Sequence, residues 1–246
     1  MKIVFLGTVG YYPTENRHTN CVIINDLNII LDAGSGFFRF PEFIDSEKIY
    51  ILLSHYHIDH ICGLTQLLGL FNGRKVEIFG SKGIEDYLNR IFNQPYFSIP
   101  ISQHPFTIKL KNIGEESFYI DNAKITTQFF HRHSYPVLGY KIESDDKIIT
   151  YITDTVVGND EIEFVKNSDL LIHECYYIDR FKEKAKREMH STAREVAELA
   201  KKANCKRVAL YHLNPSLKDI YSDFENEAKV LFKNAFIPEE CKEIEI

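Results

Sequence analysis

His55-Tyr56-His57-Ile58-Asp59-His60 places four metal-competent side chains within six residues, directly after the apolar run Ile49-Tyr50-Ile51-Leu52-Leu53. Three imidazoles and a carboxylate held this close are costly to keep together unless a cation sits among them. His55 and His57 form one alternating pair; Asp59 and His60 point another way. That arrangement suits two adjacent ions better than one. The motif contains no thiolate, which argues against a closed structural zinc site and for one that leaves positions open to water. Manganese or iron could use the same nitrogen and oxygen donors, because such sites discriminate by geometry and availability.

Working outward, strand-like runs recur at 3–6, 21–24, 29–31, 49–53, 76–79, 125–130, 139–142, 148–152, 170–172 and 208–211. Helical periodicity is clearest from Thr192 to Ala203, with Ser191 or Thr192 as its cap. Further helices are expected over 84–92 and 222–234, and one opening at 64–70. Four strands release a titratable side chain: His55 after the run ending at Leu53, Asp154 after Ile152-Thr153, His173-Glu174 after Ile172, and His212 after Tyr211. Buried strands that free such residues at one edge build a site on a rigid scaffold. The expectation is two β-rich halves, 1–120 and 121–246, packed sheet on sheet in one domain, with helices outside and the site at their common rim.

The chain has 246 residues, 44% of them hydrophobic and 26% charged, an ordinary globular composition. Its net charge of −6 argues against a protein wrapped in nucleic acid. Charge is uneven, however. From Lys182 to Arg207 nine Lys/Arg face four Glu, so that stretch is +5 and the remainder −11. A solvated helix face is the plain reading, and a field that attracts an anionic substrate the sharper one. Five scattered cysteines without a Cys-x-x-Cys pair fit reduced thiols in a cytoplasm. The first apolar run, Ile3–Leu6, is too short for a leader or membrane span and reads as a strand.

These residues resemble a known family, the metallo-β-lactamase-fold hydrolases, and within it the ribonuclease Z-like phosphodiesterases. The resemblance runs through Phe5-Leu6-Gly7-Thr8, Leu31-Asp32-Ala33-Gly34, the motif at 55–60, His133 six residues before Gly139-Tyr140, Thr153-Asp154-Thr155, His173-Glu174, His190-Ser191-Thr192-Ala193 and His212. It implies an α/β fold, the four-layer αββα sandwich. It also implies two zinc ions, one on His55, His57 and His133, the other on Asp59, His60 and His212, with Asp154 between them. Glu174 and His190 would handle protons on the leaving-group side, and Asp59 counts among the catalytic residues. A homodimer is implied too. Metal coordination lowers the pKa of bound water from about 15.7 to about 7, so a nucleophile exists at neutral pH.

Two departures direct the substrate expectation. The short span between His133 and Asp154 leaves no room for the protruding arm with which ribonuclease Z enzymes grip tRNA. Cys175-Tyr176 also replaces the family's Ala-Thr after His-Glu. Gly10-Tyr11-Tyr12-Pro13 with Arg17-His18-Thr19 is similar to small relatives that degrade cyclic pyrimidine mononucleotides in anti-phage signalling (the anti-Pycsar type). The expected activity is therefore hydrolysis of small nucleotide phosphodiesters, chiefly 3′,5′-cyclic mononucleotides; the alternative is tRNA 3′-end processing. Arg17 and His18 are candidate phosphate contacts. Tyr96 and Phe97, in the proline-framed stretch 93–101, are candidate rings for a base.

Several positions keep plainer alternatives. His131 shares a strand face with His133. Asp154 could cap a turn, His212 could be a satisfied turn histidine, Glu174 a salt-bridge partner, and the His190 segment a helix cap.

Overall fold

Runs of β-branched and aromatic residues buried on both faces make the central strands, and their order in space carries the site. The computed structural model describes residues 1–70, 73–97 and 108–246. The first half supplies β1 (Lys2–Gly7), β2 (Cys21–Ile24), β3 (Ile29–Leu31), β4 (Lys48–Leu52), β5 (Lys75–Ser81) and β6 (Ile108–Ile113). The second supplies β7 (Ser117–Ile120), β8 (Ala123–Phe130), β9 (Val137–Ser144), β10 (Lys147–Ile152), β11 (Leu170–Glu174), β12 (Val208–Tyr211) and β13 (Ala235–Phe236). Strand β14 (Glu243–Glu245) returns to pair with β1, so the sheets run β14-β1-β2-β3-β4-β5-β6 and β13-β12-β11-β10-β9-β8-β7. The division between sheets falls just before Ser117, and the C-terminal strand crosses back to the first sheet.

Three apolar layers explain the four-layer αββα sandwich. Between the sheets lie Ile3, Phe5, Tyr50, Tyr140, Tyr151 and Tyr211. Outside the first sheet, Phe37, Phe40, Ile61, Leu64 and Leu88 cover it. Outside the second, Phe164, Val196, Leu199 and Phe224 do the same. Each such side chain taken fully out of water contributes about 1.5–3 kcal/mol. The helices involved are α1 (Ile58–Ile61), α2 (Leu67–Leu70), α3 (Ile84–Ile91), α4 (Asn159–Val165), α5 (Lys182–Arg187), α6 (Ala193–Lys202) and α7 (Tyr221–Leu231).

Strands β3–β6 are mutually parallel, as are β10–β13. Their C-terminal ends therefore open along one rim, where ligands of open α/β sheets gather. The interior strands fall where periodicity predicts them. Edge strands β6, β7, β13 and β14 do not, because Lys109, Lys111, Glu243 and short length mask an apolar run; charged side chains also blunt an exposed edge. Thr192 rather than Ser191 caps α6, in a capping box with Glu195 worth about 1 kcal/mol. That cap fixes the chain immediately after His190.

Candidate metal centre

Asp32 begins the site. It follows β3 in a left-handed conformation (φ 55°) and is fully buried. Its Oδ1 accepts from Ser54 N at 2.7 Å; its Oδ2 accepts from Ser54 Oγ at 2.7 Å and Tyr151 Oη at 2.6 Å, and lies 2.7 Å from His60 Nδ1. A proton on Nδ1 turns His60 Nε2 inward, 3.1 Å from Asp154 Oδ2 and 3.5 Å from Asp59 Oδ2. Carboxylates that orient histidines in this way set the tautomer of metal ligands.

The remaining groups arrive from four other loops. Arg132, bonded to Asp160, Glu161 and Val156 O, pins the loop that presents His133. His131 is exposed near Phe129, so the choice between the two histidines falls to His133. Asp154 (φ 47°) turns Oδ1 to within 3.2 Å of His212 Nε2 and 3.8 Å of His133 Nε2, while its Oδ2 faces His60. His212 (φ 51°) packs against Gly10, where a Cβ would lie 2.2 Å from the imidazole. Left-handed backbone at non-glycine residues costs about 1–3 kcal/mol and recurs at functional sites.

His55, His57, His133 and Asp154 offer ligand atoms within 4.8 Å of one another, as do Asp59, His60 and His212, and also Asp154, His190 and His212. Among the described residues, buried His55 Nε2, His133 Nδ1 and both His212 ring nitrogens find no hydrogen-bond partner. His133 Nε2 instead faces His57 Nδ1 at 3.4 Å. Burial lowers the pKa of His55, His57 and His133, keeping them in the neutral form that binds metal. Orphaned nitrogens beside carboxylates fit divalent ions.

Next to these ligands, fully buried Glu174 receives Thr155 N at 2.9 Å, Tyr176 N at 3.2 Å and Ser191 N at 3.2 Å, and lies 2.9 Å from His190 Nδ1. Burial opposes protonation of His190, but the Glu174 charge outweighs it and pushes the imidazole up to about 9. His190 stacks on Tyr176 at 4.3 Å and lies 5.5 Å from His133 and 5.7 Å from His212, ring to ring. Neighbouring His173 is buried too, 3.2 Å from Glu161 and 2.8 Å from Glu174 O, and is not part of the ligand clusters. His57, Asp59, His133, Asp154, His190 and His212 line one open cavity of about 400 Å³, together with Tyr11, Ile58 and Tyr176.

The four candidate substrate contacts are not brought to that cavity. Arg17 Nη1 donates to Thr8 Oγ1 and Pro238 O, and His18 N donates to Glu240, so both belong to a network that ties the first loop to the C-terminal segment. Tyr96 is 80% exposed beyond α3, and Phe97 packs edge-on against Phe92; residues 98–101 of that stretch lie outside the described residues. The Lys182–Arg187 charges sit on solvated α5, with only Ala185 buried. Sequence reasoning assigned no role to Asp32, Asn20 (Nδ2 2.9 Å from His60 Nε2), Tyr11 or Tyr176. Asp32 lies within Leu31-Asp32-Ala33-Gly34 and Tyr11 within Gly10-Tyr11-Tyr12-Pro13, which is the sequence signal for both. Among the described residues all five cysteines are free, and no helix is long and apolar enough to cross a membrane.

Residues 27–213 match the Beta-lactamase superfamily domain. A ribonuclease Z of Nanoarchaeum equitans is 29% identical over 92% of this chain and 88% of its own, and one of Methanosarcina acetivorans 28% identical over 100% and 98%. Among solved structures, the metallo-beta-lactamase fold protein YhfI of Bacillus subtilis superposes with a TM-score of 0.80 (21% identity, 99% of each chain). The human tRNase Z short form superposes at 0.77 (24% identity, 100% of this chain and 99% of that one); these two likenesses speak for the fold.

The curated relatives overturn the expectation of a cyclic-mononucleotide phosphodiesterase, since they are ribonucleases Z. An arm concerns how a substrate is gripped, so a short span between His133 and Asp154 does not decide which bond is cut. The M. acetivorans alignment spans 305 positions against 246 residues here, so relatives carry segments this chain lacks without ceasing to be relatives. The chain belongs to the β-lactamase superfamily and is a metal-dependent hydrolase whose relatives include ribonucleases Z.

Proposed function

We propose that this chain is an endoribonuclease that cleaves tRNA precursors at the 3′ end, a single-domain cytoplasmic enzyme working as a homodimer with two zinc ions. The observation that carries this is a nearly full-length relation to ribonucleases Z, over a site whose ligand and acid residues are all present. His55, His57 and His133 would hold one ion and Asp59, His60 and His212 the other, with an oxygen of Asp154 toward each. When bound, such ions polarise a phosphoryl group and make water nucleophilic near neutral pH.

The chain's own residues supply the rest. Asp32 sets the His60 tautomer. Glu174 orients His190 and keeps it protonated, so His190 can give its proton to the departing ribose 3′ oxygen, a step that typically contributes about 100- to 10,000-fold. Tyr176 stacks on the His190 ring and limits its rotation. The solvated Lys and Arg side chains of α5 would meet a polyanionic substrate at the surface, outside the cavity.

The test offers zinc-loaded protein a 3′-extended tRNA precursor and, separately, bis(p-nitrophenyl) phosphate. One endonucleolytic cut near the end of the acceptor stem is expected, with rates that fall steeply with salt. Hydrolysis of the small diester with the precursor left intact would refute the reading. Metal analysis and light scattering read the zinc count and the dimer.

A further inference from the structure

We infer that Tyr11 is a substrate-binding residue whose ring stacks on the nucleobase adjoining the scissile phosphate; the inference rests on the RNA-cleaving function proposed above. Apart from the candidate ligands and His190, the cavity is lined by Tyr11, Ile58 and Tyr176. Tyr176 is committed, since its ring already stacks on His190. Tyr11 is 76% exposed, and its described ring contact, with Tyr12, is T-shaped at 5.7 Å. An aromatic face therefore stands open to solvent at the mouth of the site, beside exposed Ile58.

The loop beneath it is held, not loose. Tyr11 takes a left-handed conformation (φ 65°), which a bulky residue rarely adopts, and its N–H donates to Asp59 Oδ2 at 2.8 Å. Gly10 N donates to Leu213 O at 3.0 Å, and Val9 bridges to both Thr19 and Leu213. Tyr12 Oη lies 2.9 Å from Ser216 Oγ. No side chain fits at Gly10 because the His212 ring fills that space. The backbone that carries the ring is thus held in register with candidate ligands Asp59 and His212. A group that close to a phosphodiester in RNA, with a π-face and no charge, meets a base. Stacking of this kind tolerates any base, since each has a π-face.

The experiment compares wild type, Tyr11→Leu and Tyr11→Phe on an intact precursor and on precursors lacking the base 5′ or 3′ of the cut. Tyr11→Leu should raise KM about tenfold on intact RNA, the order expected of one base–aromatic stack, with metal content at the wild-type level. Tyr11→Phe should match wild type. On one of the two base-free RNAs the Tyr/Leu difference should vanish. An unchanged KM in Tyr11→Leu, an equal penalty on both base-free RNAs, or a Phe variant as impaired as Leu would overturn the inference. Should wild type leave the precursor uncut, the proposed function falls. Stacking is then judged alone, by quenching of a 2-aminopurine oligoribonucleotide that Tyr11→Leu must abolish.

Discussion

Asp32→Asn probes the support beneath the metal centre with almost no change of volume. The native carboxylate faces four donor groups, Ser54 N, Ser54 Oγ, Tyr151 Oη and His60 Nδ1. An amide has one acceptor oxygen. In its better orientation that oxygen keeps the three Oδ2 partners, and its NH₂ confronts Ser54 N–H. One buried donor left unpaired costs about 1–3 kcal/mol. The bond to His60 also loses its charge, worth about 1 kcal/mol more. Metal-free protein should therefore lose about 2–4 kcal/mol in urea unfolding. Because His60 keeps a weaker acceptor, metal affinity should fall about tenfold, at the low end of the 10- to 100-fold typical of such outer partners. The loss should fall on the ion held by His60, Asp59 and His212. Chelator-competition titration separates the two effects: it reads affinity on folded protein, while denaturation reads stability. Asn binding both ions with wild-type affinity would show that Asp32 supports only the fold, and the orientation argument would fail.

Three other outcomes test the same centre. His190→Ala should slow turnover about 100- to 10,000-fold with metal content intact; because His190 also stands in a possible ligand group with Asp154 and His212, loss of metal would reassign it as a ligand. Glu174→Gln removes the charge that raises His190, so the alkaline limb of the pH–rate profile should move to lower pH; the acid is active only while protonated, and an unmoved limb would place the titration elsewhere. Gly10→Ala puts a methyl group where the His212 ring stands, and metal analysis should show loss of the ion that His212 helps to hold, with the far-UV spectrum unchanged.

The three imidazoles and the carboxylate of residues 55–60, and the habit of strands ending in Asp154, Glu174 and His212, mark by themselves a superfamily resemblance, a rim and a set of candidate ligands. Those are local facts: alternating burial marks interior strands, and a polar residue after an apolar run marks an exit. What lies across the chain is not local. Asp32 meets Tyr151 across 119 positions, Tyr11 meets Asp59 across 48, and Arg17 and His18 are drawn away from the site toward Pro238 and Glu240. His131 and His133 share a strand face; the spacing to Gly139-Tyr140 favours His133, and the clamped loop around Arg132 is what presents it. Periodicity reports which face of an element is buried; it carries no distance between elements, so the supports of the ligands and the walls of the cavity were decided by the packing of the two sheets.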